Sequence, residues 1–159
     1  MERTAAVRGF WTAYKSAAGL RHDRYAVARP GDTPELASEL VQLMLAGTKR
    51  ATASLVRDFE TVGEPLPRPG DHVIVVVGAH EPRCIWRTTE VTIKPLIEVD
   101  DAFAWDEGEG DRSRASWLDN HRRYFARQAT REGFAMHDRL PTVFERFRIV
   151  WPIDAADGD

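Results

Sequence analysis

The stretch Ala46-Gly47-Thr48-Lys49-Arg50-Ala51-Thr52-Ala53-Ser54 decides how this chain is read, because a helix stops and an extended, hydroxyl-bearing segment starts within it. Upstream, Asp32-Thr33-Pro34-Glu35 carries two overlapping helix-start signals: Asp32 capping with Glu35 at the third position, or Thr33 capping with Pro34 first. Leu36, Leu40, Leu43 and Met44 are expected to form the buried face, and Gly47 stands where a left-handed residue closes a helix. The helix end thus delivers Thr48, Lys49 and Thr52 together.

Working outward, Val7, Phe10, Trp11 and Tyr14 have the i, i+3, i+4, i+7 spacing of an amphipathic helix from Thr4 to Ala18, stopped at Gly19. Arg21 to Gly31 reads as irregular. Beyond Leu55 the chain reads as strands. After the breaks at Pro65, Pro67, Pro69 and Gly70, Val73 to Val77 is apolar enough to be buried on both faces. Gly78 to Pro82 then turns into a second strand, Cys84 to Val91, continuing through Ile93 and Ile97 past Pro95. A short helical piece, Asp101 to Trp105, precedes Glu107-Gly108-Glu109-Gly110-Asp111. A longer helix, capped by Asp111 or Ser113, carries Trp117, His121, Tyr124, Phe125 and Gln128. Val143 to Trp151 alternates as a closing strand, ended by Pro152. Strands and helices interleaved without a regular βαβ rhythm predict an α+β fold: a mainly antiparallel sheet or small barrel with helices outside.

At 159 residues and 43% hydrophobic content the chain is expected to form one domain with a substantial core. Its longest apolar run is too short to span a bilayer and Met1-Glu2-Arg3-Thr4 lacks a signal-peptide pattern, so a cytoplasmic protein without membrane partners is expected. The single cysteine, Cys84, fits a reducing compartment and sits in a strand-like context that disfavours a nucleophile. A net charge of -3 argues against nucleic-acid binding through bulk positive charge. Locally, Arg112, Arg114, Arg122, Arg123, Arg127 and Arg131 face one acid, Asp119, and form either a solvated stripe or a phosphate-facing surface.

Lys49 and Thr52 are a usable base and nucleophile. A threonine hydroxyl attacks only if a base takes its proton, and lysine serves when burial or a nearby cation, here Arg50, lowers its pKa from about 10.4. In the glycine-hinged acidic loop, a carboxylate orients the lysine or acts as acid or base, or two hold a hard cation, or the last ones stabilise the following helix N-terminus. Trp86 and Trp105 are candidate stacking platforms for a nucleobase, against the commoner fate of core packing. His22, His72, His80, His121 and His137 have no zinc spacing with Cys84, and His121, one turn beyond Trp117, is expected to pack or hydrogen-bond at the core edge.

Taken in order, the Ala46 to Ser54 segment, Pro69-Gly70-Asp71 before a strand, Phe103-Ala104 leading into Glu107 to Asp111, Trp117, His121 and the closing Glu145-Arg146-Phe147 resemble the ASCH domain family, as a longer-branch bacterial member. The likeness runs over residues 32–151, with 1–31 as an N-terminal helical extension and 152–159 as an acidic tail. It implies a PUA-like fold, a small β-barrel flanked by helices and related to RNA-binding domains. Short family members include amidohydrolases that deacylate N4-acetylcytidine with a lysine, a threonine and a glutamate. That implies Lys49 as base, Thr52 as nucleophile and Glu107 as orienting acid, with Glu109 as the alternative to Glu107. Arg50, Ser54, Trp86, Trp105, Arg122 and Arg123 are then candidate contacts to a modified cytidine nucleoside or RNA, and no cofactor is implied. Longer members imply a second possibility, a ribonuclease cutting single-stranded RNA with Mg²⁺ or Mn²⁺ on Glu107 and Glu109. A third is a non-catalytic RNA-binding module.

Overall fold

A computed structural model describes residues 2–158. Each long helix starts where a side chain accepts an otherwise orphaned backbone N–H. Thr4 caps α1 (Ala5–Ala18) at Val7 N, Thr33 caps α2 (Pro34–Leu45) at Leu36 N, and Ser113 caps α5 (Arg114–Glu132) at Ser116 N. The choices between Asp32 and Thr33 and between Asp111 and Ser113 therefore fall to the hydroxyl residue. Asp111 instead accepts from the Ser113 hydroxyl at 2.6 Å.

Five strands form one mixed sheet in the order β1-β3-β4-β5-β2: β1 (Ala26–Ala28), β2 (Ala51–Leu55), β3 (His72–Val77), β4 (Glu81–Pro95) and β5 (Pro141–Trp151). The neighbours are antiparallel except at one edge, where Ala26 to Ala28 run parallel to Val73 to Val75. Strand β4 pairs with both β3 and β5, and its ladder shifts register at Ile85/Trp86 and Thr88/Glu90. Such bulges bend and twist a strand. The sheet curls into a half-barrel flanked by helices, the α+β architecture expected.

Three elements depart from the sequence reading. The stretch read as irregular contains β1, the chain beyond Leu55 first makes a helix, α3 (Val56–Glu60), before the strands begin, and the second strand does not continue to Ile97 but ends at Pro95, where Leu96–Glu98 turns as a 3-10 helix. The buried stripe of α2 is also turned, with Ala37 and Val41 fully buried beside Leu40 and Met44, while Leu36 and Leu43 lie half-buried.

Helices cover both faces of the sheet. Ala37, Val41 and Met44 of α2 pack on Val73, Val75, Trp86, Phe147 and Ile149, whereas Val7, Trp11 and Tyr14 of α1 pack on Ile74, Val76 and Ile85. At the β2 end, Ala51, Leu55 and Phe144 meet Phe103 and Ala104 of α4 (Asp101–Glu107) and Trp117, Leu118 and Phe125 of α5. The acidic tail folds back, with Asp157 accepting from Arg50 at 2.7 Å and from Ile149 N at 2.8 Å. Among the described residues no helix is long and apolar enough to cross a membrane.

Candidate active site

The site forms where the end of α2, the start of β2, the α4–α5 loop and one turn of α5 converge. Gly47, at φ 88, releases the chain from α2, and Arg50 N donates to Asp106 O at 2.7 Å, seating β2 against the end of α4. Gly108, at φ 73, closes α4; a Cβ there would lie 2.5 Å from Thr48 O. Only glycine permits this approach, and it brings the flanking Glu107 and Glu109 onto Lys49.

Lys49 is 1% exposed. Its Nζ donates to Ala51 O at 2.7 Å and Glu109 Oε2 at 2.9 Å, and lies 3.6 Å from Glu107 Oε1. Glu107 is equally buried, and His121 Nε2 stands 3.1 Å from its Oε2 and 3.3 Å from its Oε1. The 3.1 Å approach lacks hydrogen-bond geometry, which leaves Glu107 Oε2 and the nearby Trp117 indole N–H without well-formed partners. His121 Nδ1 meets Trp117 O at 2.8 Å while its ring stacks on the Trp117 indole, centroids 3.7 Å apart. Both imidazole nitrogens therefore face oxygens, which suits an imidazolium with two donors. Burial pushes the Glu107 carboxyl up, but the charges of His121 and Lys49 outweigh it and hold Glu107 below the usual carboxylate range. Burial likewise works against charge on His121, and the Glu107 carboxylate, by charge and hydrogen bond, raises it above the ordinary histidine value. Two cations and two carboxylates thus balance inside the protein.

Of the residues proposed from sequence, Lys49, Glu107 and Glu109 come together. Glu109 makes the shorter contact to Lys49 and keeps 26% of its side chain exposed, whereas Glu107 is the sealed partner. Thr52 lies half-buried on β2, and no hydrogen bond joins its hydroxyl to Lys49 among the described residues; the link is the Ala51 carbonyl, one residue before Thr52, that Lys49 grips. Ser54 follows on the same strand face. Arg50 is a clamp, donating to Met44 O and Lys49 O at 2.8 Å each and to Asp157. Trp86 is 6% exposed and stacks on Phe147 with centroids 4.4 Å apart, a core position in place of an open platform for a base. Trp105 is 57% exposed beside the acidic loop, with the Arg112 guanidinium 3.9 Å over its ring.

The arginine stripe is largely neutralised from a distance. Arg122 pairs with Asp138 and Arg127 with Asp32, acids supplied by other parts of the chain, and Arg123 pairs with Asp119. His121 is the one member of the buried network that sequence reasoning left out of the site. Its signal was a position one helical turn beyond Trp117 on a helix leaving the acidic loop. Cys84 is buried, and burial pushes its thiol up to about 12, so it is inert.

Comparison with known proteins bears on this arrangement. The chain superposes on the crystal structure of an ASCH domain from Lactobacillus crispatus JV V101 with a TM-score of 0.81 and 28% identity, covering 90% of this chain and 92% of that one. Protein EF3133 from Enterococcus faecalis V583 is equally similar, with a TM-score of 0.83, 28% identity, and 91% and 87% of the two chains covered. The hypothetical protein PH0355 shares the fold at a TM-score of 0.53 and 12% identity, over 80% of this chain and 99% of that one. The search of curated proteins finds no match. The sheet and its helices are those of the PUA-like α+β fold. Because the ASCH domain model matches residues 26–151, from the first strand of the sheet to the end of the last, the chain belongs to the ASCH domain family.

Proposed function

We propose that the protein is a hydrolase that cleaves the exocyclic amide of an N4-acylated cytosine nucleoside through an acyl-threonine intermediate. The observation that carries this reading is the fully buried Lys49–Glu107 pair, whose lysine is anchored on the Ala51 carbonyl, the residue before Thr52 on β2. Burying an ion pair is weakly stabilising at best, because desolvation of the two charges offsets their attraction. Titratable groups held this way at a site edge are characteristic of acid–base chemistry.

In this mechanism Lys49 releases a proton to the partly exposed Glu109 and, as the amine, takes the proton of Thr52 while Oγ attacks the acyl carbonyl carbon. The proton passes to N4 as the C–N4 bond breaks, and the cytosine nucleoside leaves. Water attacks the threonine ester by the reverse route, freeing the carboxylic acid and restoring the hydroxyl. Glu107, braced by His121, fixes the position of Lys49. Trp105 offers the exposed ring on which the base stacks.

A second reading has an observation of its own. Ligand atoms of Glu107, Glu109 and His121 lie within 4.8 Å of one another, a spacing compatible with a divalent cation and hence with metal-dependent RNA cleavage. Lys49 Nζ already stands between those carboxylates, so a metal ion would have to replace its ammonium. Incubation with N4-acetylcytidine and with single-stranded RNA, each with Mg²⁺ or EDTA, separates the two. The amidohydrolase reading predicts cytidine and acetate in both media and intact RNA; Mg²⁺-dependent RNA cleavage without deacylation refutes it.

A further inference from the structure

The Glu145-Arg146-Phe147 strand, prominent in the sequence, has no part in the chemistry above, yet it carries a second buried carboxyl. Glu145 is 5% exposed and lies directly across the β2–β5 ladder from Thr52. Directly opposed residues of an antiparallel pair project to the same face with Cβ atoms about 4.5–5.5 Å apart. Glu145 and Thr52 are therefore side by side, with Ser54 two residues further along that face.

The two carboxyl oxygens have different surroundings. Oε2 accepts from the Thr88 hydroxyl at 2.5 Å and from the Trp86 indole N–H at 3.2 Å. Oε1 has no partner among the described residues and is not among the atoms sealed from solvent. With both lone pairs of Oε2 engaged by donors, a proton on this group belongs on Oε1, the open side. Among the described residues no cation pairs with it: β4 offers Thr88 and Trp86, β2 offers Thr52, α2 turns Ala37, Val41 and Met44 to this face of the sheet, and the charge that acts on it is that of Asp71, before β3. Burial raises the Glu145 carboxyl above the usual range against the two hydrogen bonds, and Asp71 adds to the rise.

We infer that Glu145 is a specificity-determining residue, its Oε1 lying beside Thr52 against the ring N3 of cytosine and, in the protonated form, donating to it, so holding the exocyclic amide over the threonine hydroxyl. This rests on the acylcytosine reading. Cytosine N3 is an acceptor, whereas uracil carries N3–H, which meets this donor head-on. An ionised Glu145 would reverse the preference, so discrimination fades as pH rises through the pKa of the group.

The experiment is calorimetric binding of cytidine and 3-deazacytidine, which lacks the N3 acceptor, to the wild type, Glu145→Gln and Glu145→Ala between pH 5.5 and pH 8.5. The expected result is at least tenfold tighter binding of cytidine by the wild type at the acid end, shrinking with pH. In Glu145→Gln, whose amide keeps a donor, the ratio persists and is flat with pH; in Glu145→Ala it falls to about one. Should Glu145→Ala fail to fold, the pH profiles of the wild type and Glu145→Gln still decide. A cytidine preference unchanged in folded Glu145→Ala, or a pH-independent wild-type ratio, overturns this inference alone. Absence of any wild-type cytidine binding, with N4-acetylcytidine untouched, overturns it together with the proposed function.

Discussion

His72 and His121 are both packed against tryptophan, the first beneath α1 and the second on α5 itself, and the protein drives them in opposite directions. His72, at the start of β3, is 7% exposed, lies edge-on to Trp11 with centroids 5.4 Å apart, and shares a 3.2 Å hydrogen bond with the Tyr14 hydroxyl. Burial, with help from the charges of His22 and Arg87, lowers it to about 4. His121 is nearly as shielded, with 11% of its side chain exposed, but Glu107 stands against it, and its affinity for a proton rises. The deciding difference is one carboxylate. Under α1 the protein buries a neutral ring and gains packing; under α4 and α5 it buries charges whose desolvation works against stability. The first region belongs to the fold, and the second is where the proposed chemistry is assigned.

The sharpest way to break this contrast is to remove one charge from the second region. Lys49→Met leaves Glu107 buried without its lysine and is expected to destabilise the protein by about 3–5 kcal/mol in denaturant titrations. If Lys49 is the base of the proposed mechanism, its loss should also cut deacylation roughly 10²–10⁴-fold. Lys49→Met combined with Glu107→Gln should recover much of the stability and none of the activity, which separates the two roles of the pair.

The first region is tested by pH. Because the folded pKa of His72 lies below its unfolded value, the unfolded chain binds the extra proton. The stability this histidine contributes is present above about pH 6.5 and is lost as pH falls toward about 4. The loss should be about 2 kcal/mol once solvent screening is allowed for. His72→Gln should flatten that limb in stability curves measured at pH 7 and pH 4.5. His121 has the opposite sign: its contribution is complete below its unfolded value and is lost as pH rises through its raised folded value.

Smaller effects follow at the surface. Trp105→Ala should weaken nucleoside affinity by ~1–3 kcal/mol, read as an increase in KM, with an unchanged melting temperature. Arg122→Gln should alter neither turnover nor melting temperature, since its exposed pair with Asp138 lies outside both regions.

What the sequence disclosed follows the range of the forces involved. Thr4, Thr33, Ser113 and Gly19 act over four or five residues, so the helix ends they set were readable. The three-residue β1 and five-residue α3 are too short for any periodicity, and β1 exists because β3 supplies its hydrogen bonds from more than forty positions away. The α2 stripe was misplaced by half its members because leucines marked it, although the small Ala37 and Val41 allow the closest approach to the sheet. At the site, Lys49, Glu107 and Glu109 were legible as a motif. The roles of His121 and Glu145 depend on packing between elements distant in the chain, and Trp86, readable only as an aromatic residue in a strand, is fixed in the core by Phe147 across the ladder.

The most direct measurement is the intact mass and peptide map of the wild-type protein quenched during turnover of N4-acetylcytidine, beside the Thr52→Val variant. A single acetyl group on Thr52, absent from Thr52→Val together with its turnover, is the predicted result. Undiminished deacylation by Thr52→Val would contradict the account.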